Sequence, residues 1–256
     1  MAFVRDEYRS FAAIVVPLAA VSQFLLAFTR HEILDTDGQP TWMRSVASSG
    51  VYSSTNFESA TAWAAVPWSL ASIVIASAMA ICVHRWVTTP SMVISRKALG
   101  RRIMRRLPAV VMVWLGVHIV ELAGFVYLSV LVVPWVVVTI PVLFFESLSA
   151  PRSIRRSMAL TRRRYWAVAG TALLVTSVCV GLSVAAAVLP KRITGLMGIT
   201  PAWWIWGVMG TITASITMPL IGATSAFLYL DLRSRHEGLD IELAMVDCFE
   251  NGDRRG

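Results

Sequence analysis

Long apolar segments separated by short charged ones dominate this chain. Four segments carry no formal charge over residues 11–28, 64–83, 167–189 and 203–228, and a fifth, 109–145, has Glu121 as its only formal charge. A helix needs about 20 apolar residues to cross the roughly 30 Å hydrocarbon core of a bilayer. The first four segments therefore each predict one span. The fifth would reach about 55 Å as a single helix, so we predict two spans with a turn near 127–132.

This pattern predicts an all-α polytopic membrane protein that forms one membrane domain over residues 1–256. The six predicted spans cover residues 11–28, 64–83, 109–128, 129–146, 167–189 and 203–228, and a tail follows over 229–256. A cleavable signal peptide is the alternative for the first segment. Residues 26–31 offer no small-x-small cleavage site, which favours a retained span.

The composition agrees with this architecture. Hydrophobic residues make up 56% of the chain, charged residues only 15%, and the mean hydropathy is +0.65. Soluble domains carry about 25% charged residues. A soluble enzyme, a disordered chain and a disulfide-rich secreted scaffold are therefore excluded as classes.

The positive charges predict the orientation. With the N-terminus inside, the inner segments 1–10, 84–108, 147–165 and 229–256 hold 19 of the 23 Lys and Arg residues. Cytoplasmic loops carry such an excess, so we expect a bacterial plasma-membrane protein with both termini in the cytoplasm.

The net charge of +8 could also suggest a nucleic-acid partner. Because the charges lie in strips beside the spans, we expect no nucleic-acid partner.

Two inner segments resemble each other at an offset of 61 residues. Pro90, Ala98, Leu99, Arg101 and Arg102 align with Pro151, Ala159, Leu160, Arg162 and Arg163. We therefore predict amphipathic elbow helices over 91–107 and 151–165, each followed by two spans in a parallel repeat.

The elbows are also candidate lipid-binding surfaces. A Lys or Arg beside the membrane gains about 1 kcal/mol from anionic headgroups. The candidate contacts with the anionic inner leaflet are Arg101, Arg102, Arg105, Arg152, Arg162 and Arg163. The alternative is that these charges only fix the topology. A protein partner or a second copy of the chain could also bind this surface.

Within the third span, His118 and Glu121 lie one helical turn apart. Ionisable groups inside a membrane are rare and mark functional sites by default. The pair could be a proton relay, a substrate contact or half of a metal site, or a hydrogen-bonded pair that holds the bundle together. Two ligands on one helix make no metal site, and we expect neither a metal nor a cofactor.

Glu146 ends the fourth span, where a carboxylate opposes the helix dipole and therefore needs a cationic partner. Arg155 or Arg156 in the following elbow is the predicted partner.

Small residues recur at every fourth position in four places. These seams are Ser72, Ala76 and Ala80; Ser177, Gly181 and Ala185; Gly210 and Ala214; and Gly222 and Ala226. Such seams let helices approach closely in lipid, and they predict a compact bundle or a dimer.

Residues 142–166 and 229–243 together resemble the actinobacterial six-span proteins named after the membrane domain of glycerophosphoryl diester phosphodiesterase. The matching positions are Glu146, Arg156, Ser157, Leu160, Trp166, Asp231, Arg233, Arg235, Glu237 and Gly238. The resemblance implies an integral membrane protein, and it implies no phosphodiesterase activity, since a separate soluble barrel performs the hydrolysis in proteins that possess one.

The tail adds acidic groups to the inner face. Asp231 and Glu237 are expected to pair with the basic elbows, giving an inner-face ion network of Glu146, Arg155, Arg156, Asp231, Arg233 and Glu237. With no nucleotide-binding, hydrolase or paired-carboxylate motif in the chain, we expect a non-enzymatic scaffold or lipid-interacting protein. The alternatives are a small proton-coupled transporter using His118 and Glu121, and a membrane-embedded lipid-modifying enzyme.

Overall fold

The structure, a computed structural model, describes residues 2–32, 55–88, 95–122, 132–198 and 202–237. These residues form helices, and no strand occurs within those ranges. A 3₁₀ turn at Arg162–Arg164 joins the fifth helix to the sixth. In chain order the helices are α1 (Ala2–Glu32), α2 (Thr55–Thr88), α3 (Arg96–Leu122), α4 (Thr139–Phe145), α5 (Ala150–Thr161), α6 (Tyr165–Leu196) and α7 (Trp203–Glu237).

The described residues include four helical segments long and apolar enough to cross a membrane. They are Phe11–His31, Val66–Thr88, Ala150–Leu196 and Trp203–Glu237. Within the described ranges the all-helical prediction is confirmed, and the four apolar segments support a membrane protein. A shorter apolar stretch, Val132–Phe145, covers most of the predicted span 129–146. The predicted turn between the third and fourth spans falls mainly on 123–131, outside the described residues.

The structure differs from the predicted elbow over 91–107. Residues 96–107 continue into the third span as the single helix α3, with Pro108 inside it. Leu99, Ile103, Val110 and Val113 are all at most 4% exposed, so one buried stripe runs through the expected break. Because that stripe keeps helical spacing, packing favours an unbroken helix over a separate elbow. Residues 151–165, the second predicted elbow, lie in α5, the 3₁₀ turn and the first residue of α6.

Helices α1, α2 and α7 pack against one another and form the centre of the bundle. Close approach depends on Gly222: a Cβ added there would lie 2.9 Å from Ala76 Cα on α2. Two of the predicted small-residue seams therefore meet each other at this contact. Apolar burial gives little drive in lipid, so such close van der Waals contact holds the helices together.

Helix α6 lies at the edge of this centre and packs mainly on α7. Its predicted seam of Ser177, Gly181 and Ala185 is exposed, and a Cβ added at Gly181 would meet nothing within 4 Å. The small-residue seam of α6 therefore makes no helix contact within the described part of the chain.

The stretch before α4 is interrupted by a turn at residues 137–138. Pro141 lacks the N–H that would bond the carbonyl of Val137 in a continuous helix. The hydroxyl of Ser225 on α7 donates to that carbonyl instead, at 2.5 Å. Two residues earlier, the carbonyl of Trp135 accepts a hydrogen bond from Ser157 Oγ of α5 at 2.7 Å. Side-chain hydroxyls thus satisfy backbone groups that the interrupted helix leaves open.

The helices alternate in direction, and the basic residues meet at one end of the bundle. There the end of α2 touches the end of α4, with His84 and Phe145 ring centroids 4.5 Å apart. At the opposite end, Phe28 of α1 lies 5.9 Å from Trp203 of α7, measured between ring centroids. We call the end that holds Arg106, Glu146, Arg156 and Arg233 the basic end.

Candidate anion-binding site at the basic end

An ion cluster is built around Glu146, which follows the last residue of α4. Its backbone N–H bonds Val142 O, and Ser147 then adopts φ 55°, a left-handed conformation that ends the helix. The carboxylate accepts bonds from Arg156 Nε at 3.2 Å to Oε1 and 3.1 Å to Oε2. The hydroxyl of Tyr229 donates to the same Oε1 at 3.0 Å.

Glu237, at the end of α7, extends this cluster. Its Oε1 accepts from Arg156 Nη2, and its Oε2 lies 3.3 Å from Arg233 Nε. Arg233 Nη1 also donates to the hydroxyl of Tyr229 at 3.3 Å. Two carboxylates therefore balance two guanidiniums, and the cluster ties α4, α5 and α7 together. Its charges are satisfied internally.

Asp231 belongs to a separate group of contacts. Its carboxylate lies 2.6 Å from Arg235 Nε and 3.8 Å from Arg164 Nη1, and its side chain is 45% exposed. The structure thus divides the predicted inner-face network: Glu146, Arg156, Arg233 and Glu237 form a half-buried cluster, and Asp231 belongs to an exposed group with Arg164 and Arg235. Arg156, not Arg155, contacts Glu146, and Arg155 is exposed on α5.

Beside the ion cluster lies a cleft of about 420 Å³ between α3 and the end of α4. We call it the arginine cleft. Its lining residues are Ala98, Arg101, Arg102, Arg105, Arg106, Phe144 and Ser147. Arg106 Nη1 donates to the carbonyls of Ser147 and Leu148, both at 3.2 Å, and so fixes one wall of the cleft to the loop after α4.

The arginine cleft has no acidic counterpart in the part of the chain that the structure describes. No Asp or Glu is among its lining residues there, and Arg101, Arg102 and Arg105 form no ion pair with a described carboxylate. Four guanidiniums that share one concave surface repel one another. An anion entering the cleft relieves that repulsion and gains charge-assisted hydrogen bonds. Such a site suits phosphate or carboxylate oxygens.

One exposed stripe of α3 connects the arginine cleft to an apolar surface. It starts with Arg101 and Arg105 and continues through Pro108 at alternating steps of three and four residues. Met112, Leu115 and Ile119 follow on the same face and are 58%, 44% and 62% exposed. The spacing is that of a single helix face. Charged and apolar surface are therefore continuous along one helix.

The remaining predicted site residues lie elsewhere. Arg152 on α5 and Arg162 and Arg163 in the 3₁₀ turn are exposed and do not line the arginine cleft. His118 and Glu121 fall on the backbone of α3, and their side chains lie outside the described residues. Among the residues searched, no cluster of His, Cys, Asp and Glu could hold a metal ion.

Sequence reasoning missed Arg106, Phe144 and Ser147 as parts of the cleft. The signal for Arg106 was present, since the motif Arg-Arg-x-x-Arg-Arg over 101–106 stacks two pairs of arginines at a spacing of four. Phe144 comes from α4 and Ser147 from the loop after it, more than 35 residues later in the chain, and no local pattern links them to α3.

Several residues of the motif behind the family resemblance contact one another in the structure. Glu146, Arg156, Arg233 and Glu237 form the ion cluster, although they come from two separate parts of the sequence. The resemblance therefore rests on residues that contact one another.

In comparison with known proteins, the chain matches no protein-family model, no curated protein and no solved structure.

Proposed function

We propose that this chain is a non-enzymatic membrane protein that binds an anionic phospholipid of the inner leaflet. In this proposal the headgroup phosphate occupies the arginine cleft and the acyl chains lie along the exposed face of α3. The observation that carries the proposal is the cleft itself, with four arginines and no described carboxylate. These arginines belong to the positive charges that set the topology, and four of them also line one concave site.

The proposed topology has six spans, with the basic end and both termini in the cytoplasm of a bacterium. The charge distribution supports this orientation, because 19 of the 23 Lys and Arg residues belong to segments assigned to that side. Two exposed aromatic side chains at the basic end, Trp86 and Trp166, are 57% and 80% exposed. Tryptophan favours the headgroup region, so these side chains would mark the level of the inner interface.

A lipid fits this site better than a soluble anion does. A free phosphate would use the cleft alone, whereas a phospholipid would also cover Met112, Leu115 and Ile119 on the adjoining stripe. Because α3 is continuous, the stripe carries charge at the headgroup level and apolar side chains at the acyl level. Charged side chains followed by apolar ones along one helix face match the headgroup and acyl chains of an amphiphile.

The ion cluster has a supporting role in this proposal. It holds the end of α4 against α5 and α7, and Arg106 in turn attaches α3 to the loop after α4. The cleft is thereby assembled before any lipid arrives, and preorganised sites lose less conformational entropy on binding. The family resemblance, which implies no hydrolysis by this chain, agrees with a binding role. The transporter alternative depends on His118 and Glu121, whose side chains lie outside the described residues. The alternative of a lipid-modifying enzyme has no candidate nucleophile or metal site in the sequence.

The test measures binding of dioctanoyl phosphatidylglycerol to the full-length protein in a non-ionic detergent by titration calorimetry. Each arginine contributes about 1 kcal/mol. The double variant Arg101→Gln/Arg105→Gln is therefore expected to bind roughly thirtyfold more weakly. Glycerol 1-phosphate, which has the phosphate without acyl chains, is expected to bind more weakly than the lipid to the unaltered protein.

The matched control is Arg152→Gln/Arg163→Gln, which removes the same charge from exposed positions outside the cleft. It should keep the unaltered affinity to within about twofold. Equal loss in both double variants would mean that net charge alone attracts the lipid, and it would refute a specific site in the cleft.

A further inference from the structure

The arginine cleft holds more positive charge than the phosphate of one ordinary phospholipid can balance. Its lining includes Arg101, Arg102, Arg105 and Arg106, and no described carboxylate. Arg106 Nη1 donates to two backbone carbonyls, which are neutral and leave the charge of the guanidinium in place. The phosphodiester of phosphatidylglycerol carries a single negative charge. Such a headgroup would therefore leave three of the four positive charges in the cleft unbalanced.

The neighbouring ion cluster shows the balance of charge that this protein reaches where arginines hold helices together. There the guanidiniums of Arg156 and Arg233 contact the carboxylates of Glu146 and Glu237, so the two signs are equal in number. The arginine cleft lies at the same end of the bundle and lacks this internal compensation. Because repulsion among its guanidiniums falls with each anionic group that enters, a ligand with two such groups relieves more repulsion than a ligand with one.

The four arginines form two adjacent pairs along α3. Arg101 and Arg102 make the first pair, and Arg105 and Arg106 follow four residues later on the same continuous helix. A rise of about 1.5 Å per residue places the second pair about 6 Å further along the helix axis, and residues four apart lie on one side of a helix. Guanidiniums bind phosphate oxygens through forked N–H donors. The cleft therefore offers two phosphate positions about one helical turn apart.

The size of the arginine cleft agrees with two phosphates. Its volume of about 420 Å³ corresponds to about fourteen water molecules at about 30 Å³ each. Two phosphate groups joined by a glycerol bridge contain about as many non-hydrogen atoms as that number of waters. A single phosphate would occupy only part of the cleft and would leave one pair of arginines in contact with water alone.

We propose that the arginine cleft selects a lipid whose headgroup carries two phosphates over a lipid that carries one. This inference rests on the proposed function, because it names the class of lipid that the same site prefers. The two phosphates can be joined by a glycerol bridge, as in diphosphatidylglycerol, or by an anhydride bond, as in a lipid diphosphate. The three carbons of a glycerol bridge can hold the phosphates about one helical turn apart, which is the spacing of the two arginine pairs. An anhydride bond holds them closer together.

The test compares lipids that differ in the number of phosphates. Full-length protein in non-ionic detergent is titrated by calorimetry with two pairs of probes. The first pair is diphosphatidylglycerol and phosphatidylglycerol, both with octanoyl chains, and the second pair is farnesyl diphosphate and farnesyl monophosphate. The farnesyl pair has identical apolar chains, so a difference within it cannot come from additional acyl chains. The quantity measured is the ratio of the two dissociation constants within each pair.

We expect the unaltered protein to bind one two-phosphate lipid per chain, about tenfold or more tightly than the one-phosphate lipid of the same pair. The reason is that the second phosphate gains a second pair of arginines. Arg101→Gln/Arg102→Gln removes one pair and leaves Arg105 and Arg106 for one phosphate. In this variant the ratio should fall to about twofold, the statistical advantage of a ligand with two equivalent phosphates. Both substituted side chains are exposed, and thermal unfolding checks that the variant is folded.

The matched control is again Arg152→Gln/Arg163→Gln, which removes equal charge outside the cleft and should keep the ratio of the unaltered protein. A preference within the first pair of probes alone identifies a glycerol-bridged lipid, and a preference within the farnesyl pair identifies a lipid diphosphate.

The ratio also separates this inference from the proposed function. If one-phosphate and two-phosphate lipids bind equally well and Arg101→Gln/Arg102→Gln weakens both, the preference is refuted while the cleft remains a site for a single phosphate. If none of the four probes shows saturable binding, both proposals are refuted. A ratio that stays unchanged in Arg101→Gln/Arg102→Gln also overturns the inference, because the preference then arises outside the cleft.

Discussion

The basic end holds two groups of arginines that differ in what surrounds them. Arg156 and Arg233 contact the carboxylates of Glu146 and Glu237 and the hydroxyl of Tyr229. The arginines of the cleft lie side by side on α3, and no described carboxylate lines the cleft. Residues of one type, at one end of one bundle, are thus neutralised by carboxylates in the first group and have no described carboxylate partner in the second.

The difference shows that the positive-inside pattern records only where a charge lies. Whether an arginine stabilises the fold or binds a ligand depends on the residues that the tertiary structure brings beside it. Glu146 and Glu237 are separated by 91 positions in the chain, yet both contact Arg156. Substitutions can therefore separate the two groups: one set should change stability and the other should change anion binding.

The largest effect is expected from Glu146→Gln. This change removes the carboxylate that Arg156 Nε contacts at both oxygens, and it weakens the acceptor of the Tyr229 hydroxyl. Breaking a half-buried pair of this kind should cost about 2–3 kcal/mol of unfolding free energy, below the range for fully buried pairs. Titration with sodium dodecyl sulfate in mixed micelles measures that quantity. A loss below about 0.5 kcal/mol would show that the cluster does not stabilise the bundle.

An intermediate effect is expected from Arg106→Gln, since Arg106 has both a structural contact and a place in the cleft. It lines the cleft and also donates to the carbonyls of Ser147 and Leu148. We expect about 1 kcal/mol less stability together with a severalfold weaker affinity for dioctanoyl phosphatidylglycerol. Arg105→Gln is the control, because it should reduce affinity and leave the unfolding free energy unchanged. Identical behaviour of the two variants would remove the structural role assigned to Arg106.

The smallest effect is expected from Asp231→Asn. The side chains of Asp231 and Arg235 are 45% and 55% exposed, and exposed pairs contribute little. The unfolding free energy should fall by less than about 0.5 kcal/mol at moderate salt. If this substitution destabilised the protein as much as Glu146→Gln does, the division of the inner-face residues into two groups would be wrong.

Much of the fold follows from the hydropathy pattern. Apolar length alone identifies the spanning segments that α1, α2, α6 and α7 contain. The predicted elbow over 91–107 is not a separate helix in its described part, because Leu99, Ile103, Val110 and Val113 are buried on one face of the continuous helix α3. Basic residues at the surface of α3 conceal this face, so amphipathicity there predicts an interfacial elbow, whereas the apolar face packs on the bundle.

The candidate site was only partly predictable for a similar reason. The pairing of Glu146 with a basic residue can be predicted from the sequence, because a carboxylate at the end of a helix needs a cation and the arginines of the next segment are close in the chain. The choice of Arg156 over Arg155 depends on which side of α5 faces the bundle, and that side carries Ser153 and Ser157, two fully buried hydroxyl residues. A small polar face hydrogen-bonded to neighbouring backbone cannot be recognised from hydrophobicity, because its packing partners are set by the tertiary structure.

The interrupted helix before α4 has a consequence for how the protein assembles. The carbonyl of Val137 acquires its donor from Ser225, which lies 88 positions later on α7. A carbonyl without a donor in hydrocarbon costs several kcal/mol, so we expect a chain that lacks α7 to hold this stretch less stably. The backbone bonding before α4 therefore depends on a helix that is synthesised after it.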